Sequence, residues 1–200
     1  MSLGQHRIGL LIILAAAVSP LPASAGRLAV FGIGNQYDTA TDATVSATHK
    51  AKLGLGGGLS FEIPLGPRLG LDIGAGYVQR KQELGGILVN SASYVQAPVL
   101  LRLWFSRNFS LALGGYYAKG IGTMKTDTAG VVTTAPLTTE QKSDYGGVGA
   151  VGLNFPLGSG TAFLVEGRYD YGFKDLDPTA TKVTTREMQA LVGFRFLTGR

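Results

Sequence analysis

The feature that most limits what this chain can fold into is a run of strict alternation. Between Lys52 and Ile63, Leu53, Leu55, Leu59, Phe61 and Ile63 take odd positions, while Lys52, Gly54, Gly56, Gly58, Ser60 and Glu62 take even ones. Successive side chains of a β-strand point to opposite faces, so this segment has one apolar face and one that is small or charged. The period of two and the density of glycine both argue against a helix. The next segment repeats the pattern, with Leu69, Leu71, Ile73, Ala75 and Tyr77 set against Gly70, Asp72, Gly74, Gly76 and Val78. Further on, Val95, Ala97, Val99, Leu101, Leu103 and Phe105 alternate with Tyr94, Gln96, Pro98, Leu100, Arg102 and Trp104.

Five more segments complete the set: Arg27 to Tyr37, Phe109 to Tyr117, Tyr145 to Phe155, the stretch around Phe163 to Phe173, and Thr185 to Phe196. In the seventh of the eight, Phe163, Val165, Tyr169, Tyr171 and Phe173 face away from Glu166, Arg168 and Asp170; in the last, Met188, Ala190, Val192, Phe194 and Phe196 oppose Gln189 and Arg195. Three tight turns, at Pro64–Arg68, Ser106–Asn108 and Pro156–Gly160, are flanked by phenylalanines. The tyrosines (37, 77, 94, 116, 117, 145, 169 and 171) fall beside longer polar connections near 38–49, 81–93, 118–144 and 174–185. Aromatic rings gathered at both ends of alternating strands suit the two headgroup levels of a membrane. The expected fold is therefore all-β, an eight-stranded antiparallel transmembrane barrel. Short turns and both termini face the periplasm, and the long loops face outward. Pro98 removes a ladder donor inside a strand of a closed barrel, which predicts a bulge there.

The N-terminus carries a different signal. Arg7 precedes an apolar stretch from Ile8 to Val18, Pro20 and Pro22 follow, and Ala23-Ser24-Ala25 makes an A-x-A cleavage site. This pattern predicts a cleaved secretory signal peptide over residues 1–25 and a barrel domain over residues 26–200. The apolar stretch is short for a membrane helix, which needs about 20 residues. Without Arg7 the 18 basic residues become 17, and against 13 acidic ones the charge is +4. That mild balance without a basic run offers nothing to nucleic acid. Cysteine is absent, so no disulfide framework is available to the exported chain. Thirty glycines suit a barrel whose lipid-facing residues alternate with small or polar lumen residues.

Taken with the hairpin plan, the segment Tyr94-Val95-Gln96-Ala97-Pro98-Val99-Leu100-Leu101-Arg102-Leu103 and the terminal aromatic strand, the mature region resembles a small outer-membrane β-barrel of the porin-like or PorT-like class. The resemblance implies location in the outer membrane of a Gram-negative bacterium, and little about activity. Members of that class end on a phenylalanine that helps the barrel assembly machinery recognise the last strand. Here Phe196 is followed by Leu197-Thr198-Gly199-Arg200.

By the alternation, Glu62, Asp72, Arg102, Glu166, Arg168, Asp170 and Arg195 point into the lumen. A barrel of eight strands is only wide enough to be filled by side chains, and charges there must pair or be hydrated. The first four of these residues in a count from the turns (Glu62, Asp72, Arg102 and Arg195) fall toward the periplasmic half, with Glu166 and Arg168 nearer mid-height. Two outcomes are open: a salt-bridged polar core, or a narrow path for ions or small solutes. Trp104, inward near one end, is positioned to plug such a path or, with the register slipped by one residue, to anchor the barrel at the membrane interface.

Catalytic chemistry is thinly represented. His49 has Ser46 and Asp42 near it in sequence, the minimum for a serine lipid hydrolase. No Cys/His cluster offers a metal site, and Gly56-Gly57-Gly58 lacks the lysine and helix of a phosphate loop. No catalytic, cofactor-binding or metal-binding residue is assigned. The connection 118–144, with Lys119, Lys125, Asp127, Glu140 and Lys142, is the place for an extracellular ligand. The expectation is a monomeric, non-enzymatic barrel in outer-membrane lipid, with a structural or adhesion-like role through its loops. A narrow porin is the first alternative and a lipid hydrolase the second.

Overall fold

The pleat that sorts apolar from polar residues also determines how the strands associate. The computed structural model describes residues 26–41, 49–158, 160–175 and 183–198. They form β1 (Gly26–Thr41), β2 (His49–Pro64), β3 (Leu69–Leu84), β4 (Leu88–Trp104), β5 (Phe109–Thr128), β6 (Val131–Pro136), β7 (Ser143–Gly158), β8 (Thr161–Gly172) and β9 (Val183–Thr198). Every pairing is antiparallel. β1 to β5 pair in order, β5 pairs β7, β7 pairs β8, β8 pairs β9, and β9 returns to β1. Eight strands thus close a barrel, and β6 is a ninth that, among the described residues, pairs only with the far end of β5. Residues 1–25, read as a signal peptide, lie outside the described residues.

Closure imposes a stagger. Following ladder partners once around, Leu28 leads through Phe61, Ile73, Val99, Gly115, Gly147, Tyr171 and Arg186 to Asp38, ten residues further along β1. Such a stagger tilts the strands against the barrel axis. Because ten is even, each residue keeps its inward or outward sense around the circuit. Leu59, Ile73, Val99, Leu101, Leu113, Val151 and Val192 are consequently exposed on the outer wall, an apolar band for lipid. Phe61, Phe105, Phe155, Phe194 and Phe196 lie outward at the end of the short turns, and Tyr77, Tyr117, Tyr145, Tyr169, Tyr171 and Phe173 at the other.

Four expectations change. Tyr94 and Tyr116 are buried and Tyr37 is half-buried, all on the inward parity, so these three tyrosines do not belong to the outer girdle. The connection 81–93 is a continuous hairpin of β3 and β4 turned at Gly85-Gly86-Ile87, where both glycines have positive φ. In 118–144, β5 runs on to Thr128 and β6 follows, while Leu137 is buried over Gly120. These extensions are largely polar, and 118–144 is threonine-rich, so ladder hydrogen bonds hold them without an alternating pattern. Pro98 makes no bulge: the β3–β4 ladder skips the pairs opposite Gly74 and Ala75 and resumes in the same register. The bare Gly74 gives the pyrrolidine ring room, and the lost donor is tolerated without an extra residue. The register shift on β4 lies instead between Ser91 and Ser93, opposite the part of β5 where Gly122 has positive φ.

Candidate functional site

The inward parity delivers ionisable groups to the interior of a barrel just wide enough for side chains to fill, and the structure resolves them into two layers. The seven residues expected in the lumen are each at most 8% exposed. Six of them meet near the short turns. Arg102 Nη2 lies 2.7 Å from Asp72 Oδ2 and 2.8 Å from Glu166 Oε2, and Nη1 donates to Ser110 Oγ at 3.0 Å. Arg168 Nε donates to Glu166 Oε1 at 2.7 Å. Glu62 Oε1 accepts from Trp104 Nε1 at 2.6 Å and from Arg27 Nη1 at 3.0 Å. Arg195 donates to Asn154 Oδ1 at 3.3 Å and stands 3.9 Å from Glu62. Trp104 closes this inner layer, with Arg27 and Arg195 guanidinium carbons 4.5 and 5.2 Å from its ring. Glycine is required at two points: a Cβ on Gly70 would meet the Glu62 carboxylate, and one on Gly152 would stand within 3.1 Å of Ser110, Arg102 and Glu166.

Above it lies an apolar belt of Phe31, Ile33, Leu100, Ala112, Val148 and Leu191, all buried. The seventh residue, Asp170, belongs to the layer beyond that belt. Its Oδ2 accepts from Gln96 at 2.6 Å and from Gln189 at 3.0 Å. The centre of this outer layer is a set the sequence reading passed over: Arg80, Asp144 and Glu187. Arg80 Nε donates to Glu187 Oε2 at 2.8 Å and Nη1 to Asp144 Oδ2 at 2.9 Å. Asn35 donates to Glu187 at 2.7 Å, and Tyr116 and Thr185 donate to Asp144 at 2.9 and 3.0 Å. The signal was available. Arg80 extends the even row of Gly70 to Val78 by one step, and Glu187 the row of Gln189. Arg80 sits just past the end of its alternating segment and Asp144 falls within the connection 118–144, whereas Glu187 lies inside the expected last strand, whose inward row names Gln189 and Arg195 alone.

Each layer ends in a cavity. The inner one, about 210 Å³, is lined by Arg27, Trp104 and Arg195 among others; the outer one, about 550 Å³, has Arg80, Tyr37 and Tyr94 at its base. The belt and the two ion-paired layers lie between them. For the hydrolase alternative, His49 opens β2, while Asp42 and Ser46 lie outside the described residues. Among the described residues no group of three or more His, Cys, Asp or Glu side chains is placed to hold a metal ion.

Comparison with known proteins agrees with this architecture. The structure is similar to that of the outer membrane protein OprG from Pseudomonas aeruginosa, with a TM-score of 0.51 at 14% identity over 89% of this chain and 97% of that one. It is also similar to Neisserial surface protein A, with a TM-score of 0.51 at 13% identity over 87% and 99% of the two chains. Identities this low speak for the fold alone. No curated protein matches the sequence. The outer membrane protein beta-barrel domain family matches over residues 8–196, which agrees with the closed barrel and its lipid-facing band. The chain therefore belongs to the outer membrane protein beta-barrel domain family and resides in the bacterial outer membrane.

Proposed function

We propose that this barrel is a plugged, non-enzymatic scaffold that presents a raised β-sheet for surface interaction, an adhesion-like role. The observation that supports it is a contrast within one sheet: ion-paired and apolar layers occupy the middle of the lumen, yet among the described residues one strand edge outside the membrane is open. Residues 120–128 of β5 run past the end of its β7 pairing, and β3 and β4 rise beside them. β6 borders this extension with all six residues exposed and, among the described residues, pairs only with β5. Its Val131-Val132-Thr133-Thr134 run favours extended structure, and an open edge is a template for strand addition. The chain is exported by the signal peptide of residues 1–25, inserted by the barrel assembly machinery and works as a monomer in lipid. The buried network of Glu62, Asp72, Arg102, Glu166, Arg168, Asp170 and Arg195 serves as the plug.

Planar-bilayer recording and bacterial attachment test this reading together. The folded protein should give no unitary current steps. Cells carrying it should attach to protein-coated surfaces better than cells lacking it, and a Val132→Lys, Thr134→Lys variant should lose that gain by charging the edge. Discrete steps that change in Arg102→Ala would replace the scaffold with a narrow porin. Attachment unaffected by loss of the protein would remove the interaction role.

A further inference from the structure

The outer cavity is unused by a scaffold that acts through its strand edge. Its volume of about 550 Å³ lies within the ~300–1,000 Å³ of small-molecule sites. At its base sits Arg80, 3% exposed, its guanidinium carbon 5.0 Å from the Tyr37 ring and 4.6 Å from the Tyr94 ring. Two of its nitrogens serve Glu187 and Asp144, while Nη2 has no hydrogen-bond partner among the described residues. A buried donor left unmet is unfavourable, and an acceptor brought to it by a ligand relieves that.

Charge limits what the ligand can be. Beneath the cavity Arg80 pairs with both Asp144 and Glu187, a formal balance of 1 − 2 = −1, and Glu140 stands in the wall. An anion would approach a negative floor, and a cation would meet the guanidinium first. A wholly apolar guest is disfavoured too, because it would strip water from the amides of Asn90 and Gln141 and the hydroxyls of Ser91 and Thr138 that line the wall. Those groups both donate and accept, whereas Leu137 and Met124 supply small apolar patches.

We infer that the outer vestibule binds an uncharged, polyhydroxylated ligand of one or two sugar rings, with a ligand oxygen accepting from Arg80 Nη2. The sugar is either free in solution or the head group of a glycolipid. The test is NMR titration of the full barrel in micelles of a detergent without a sugar head group, following the Arg80 side chain and the Asn90 and Gln141 amides. The probes are glucose, N-acetylglucosamine, maltose and lactose, with maltobionate as an anionic control and decanol as an apolar one. At least one neutral sugar should shift these signals saturably, and maltobionate should bind at least tenfold more weakly. Ala92→Phe fills the cavity wall without touching the ion pairs, and should weaken binding at least tenfold while the remaining spectrum keeps its dispersion. Saturation by soluble sugar identifies a free ligand; saturation only by maltosyl lipid in nanodiscs identifies a glycolipid head group. No saturable shift with either, equal binding in Ala92→Phe, or tighter binding of maltobionate or decanol would overturn the assignment.

Discussion

The two charged layers solve the same problem with opposite materials. In the inner layer Arg27, Arg102, Arg168 and Arg195 outnumber Glu62, Asp72 and Glu166, 4 − 3 = +1, and Trp104 covers the assembly. In the outer layer Arg80 serves two of three buried acids, Asp144 and Glu187, and neutral donors meet the rest: Asn35, Gln96, Gln189, Tyr116 and Thr185. Desolvating a charge is costly unless partners replace its hydration. Arginine does so with both charge and N–H groups, whereas amides and hydroxyls do so with hydrogen bonds alone. The first arrangement is a cation-rich cluster packed against Trp104. The second leaves a negative floor beneath an open cup, so the two ends of one lumen are suited to different tasks.

Removing the central cation of each layer is the sharpest way to break this comparison. Arg102→Met leaves Asp72 buried without a cation and Glu166 with Arg168 alone, and should destabilise the barrel by about 3–5 kcal/mol. Urea unfolding in micelles, followed by the fluorescence of Trp104, the single tryptophan, reads this directly. Arg80→Met should cost less, because Asn35, Tyr116 and Thr185 still donate to the stranded acids. An equal or larger loss there would mean that charge, and not hydrogen bonding, holds the outer layer.

A smaller effect probes space in place of charge. Gly152→Ala puts a methyl against Ser110, Arg102 and Glu166, and overpacking of this kind should cost about 1–3 kcal/mol. An unchanged unfolding midpoint would show that the inner cluster has room to shift.

The smallest effect is expected outside both layers. On the exposed hairpin Lys52 pairs with Glu83 and holds its carboxyl below the usual range. A depressed carboxylate contributes stability above its unfolded value and loses it as pH falls through the folded one. With Lys52 half-exposed to solvent that contribution is screened, so Glu83→Gln should leave the unfolding midpoint unchanged at neutral and at acidic pH. A measurable drop would show that the raised sheet shares in the stability of the barrel.

Legibility in the sequence followed the membrane. Leu53 to Ile63 and Leu69 to Tyr77 announce themselves because one face must be apolar for lipid while the other enters the lumen. Beyond the bilayer that demand ends. Lys81 to Ser93 and Ala118 to Pro136 therefore read as loop although they form paired strands. Arg80 and Asp144 were missed for the same reason, since each sits where the alternation fades into polar sequence. Pro98 misled in the other direction, because a local rule about donors could not foresee a glycine opposite.

Period-two alternation by itself determined the barrel wall, the apolar band and which side chains turn inward, because the pleat assigns faces residue by residue. Which inward groups meet was decided only by closure. Arg102 on β4 reaches Asp72 on β3 and Glu166 on β8, and Arg80 on β3 reaches Asp144 on β7 and Glu187 on β9. Those partners lie tens of residues apart, brought to one height by a ten-residue stagger that no local segment encodes. The physical reason is that strand direction is a local property of the backbone, whereas register around a closed sheet is a property of all eight strands together.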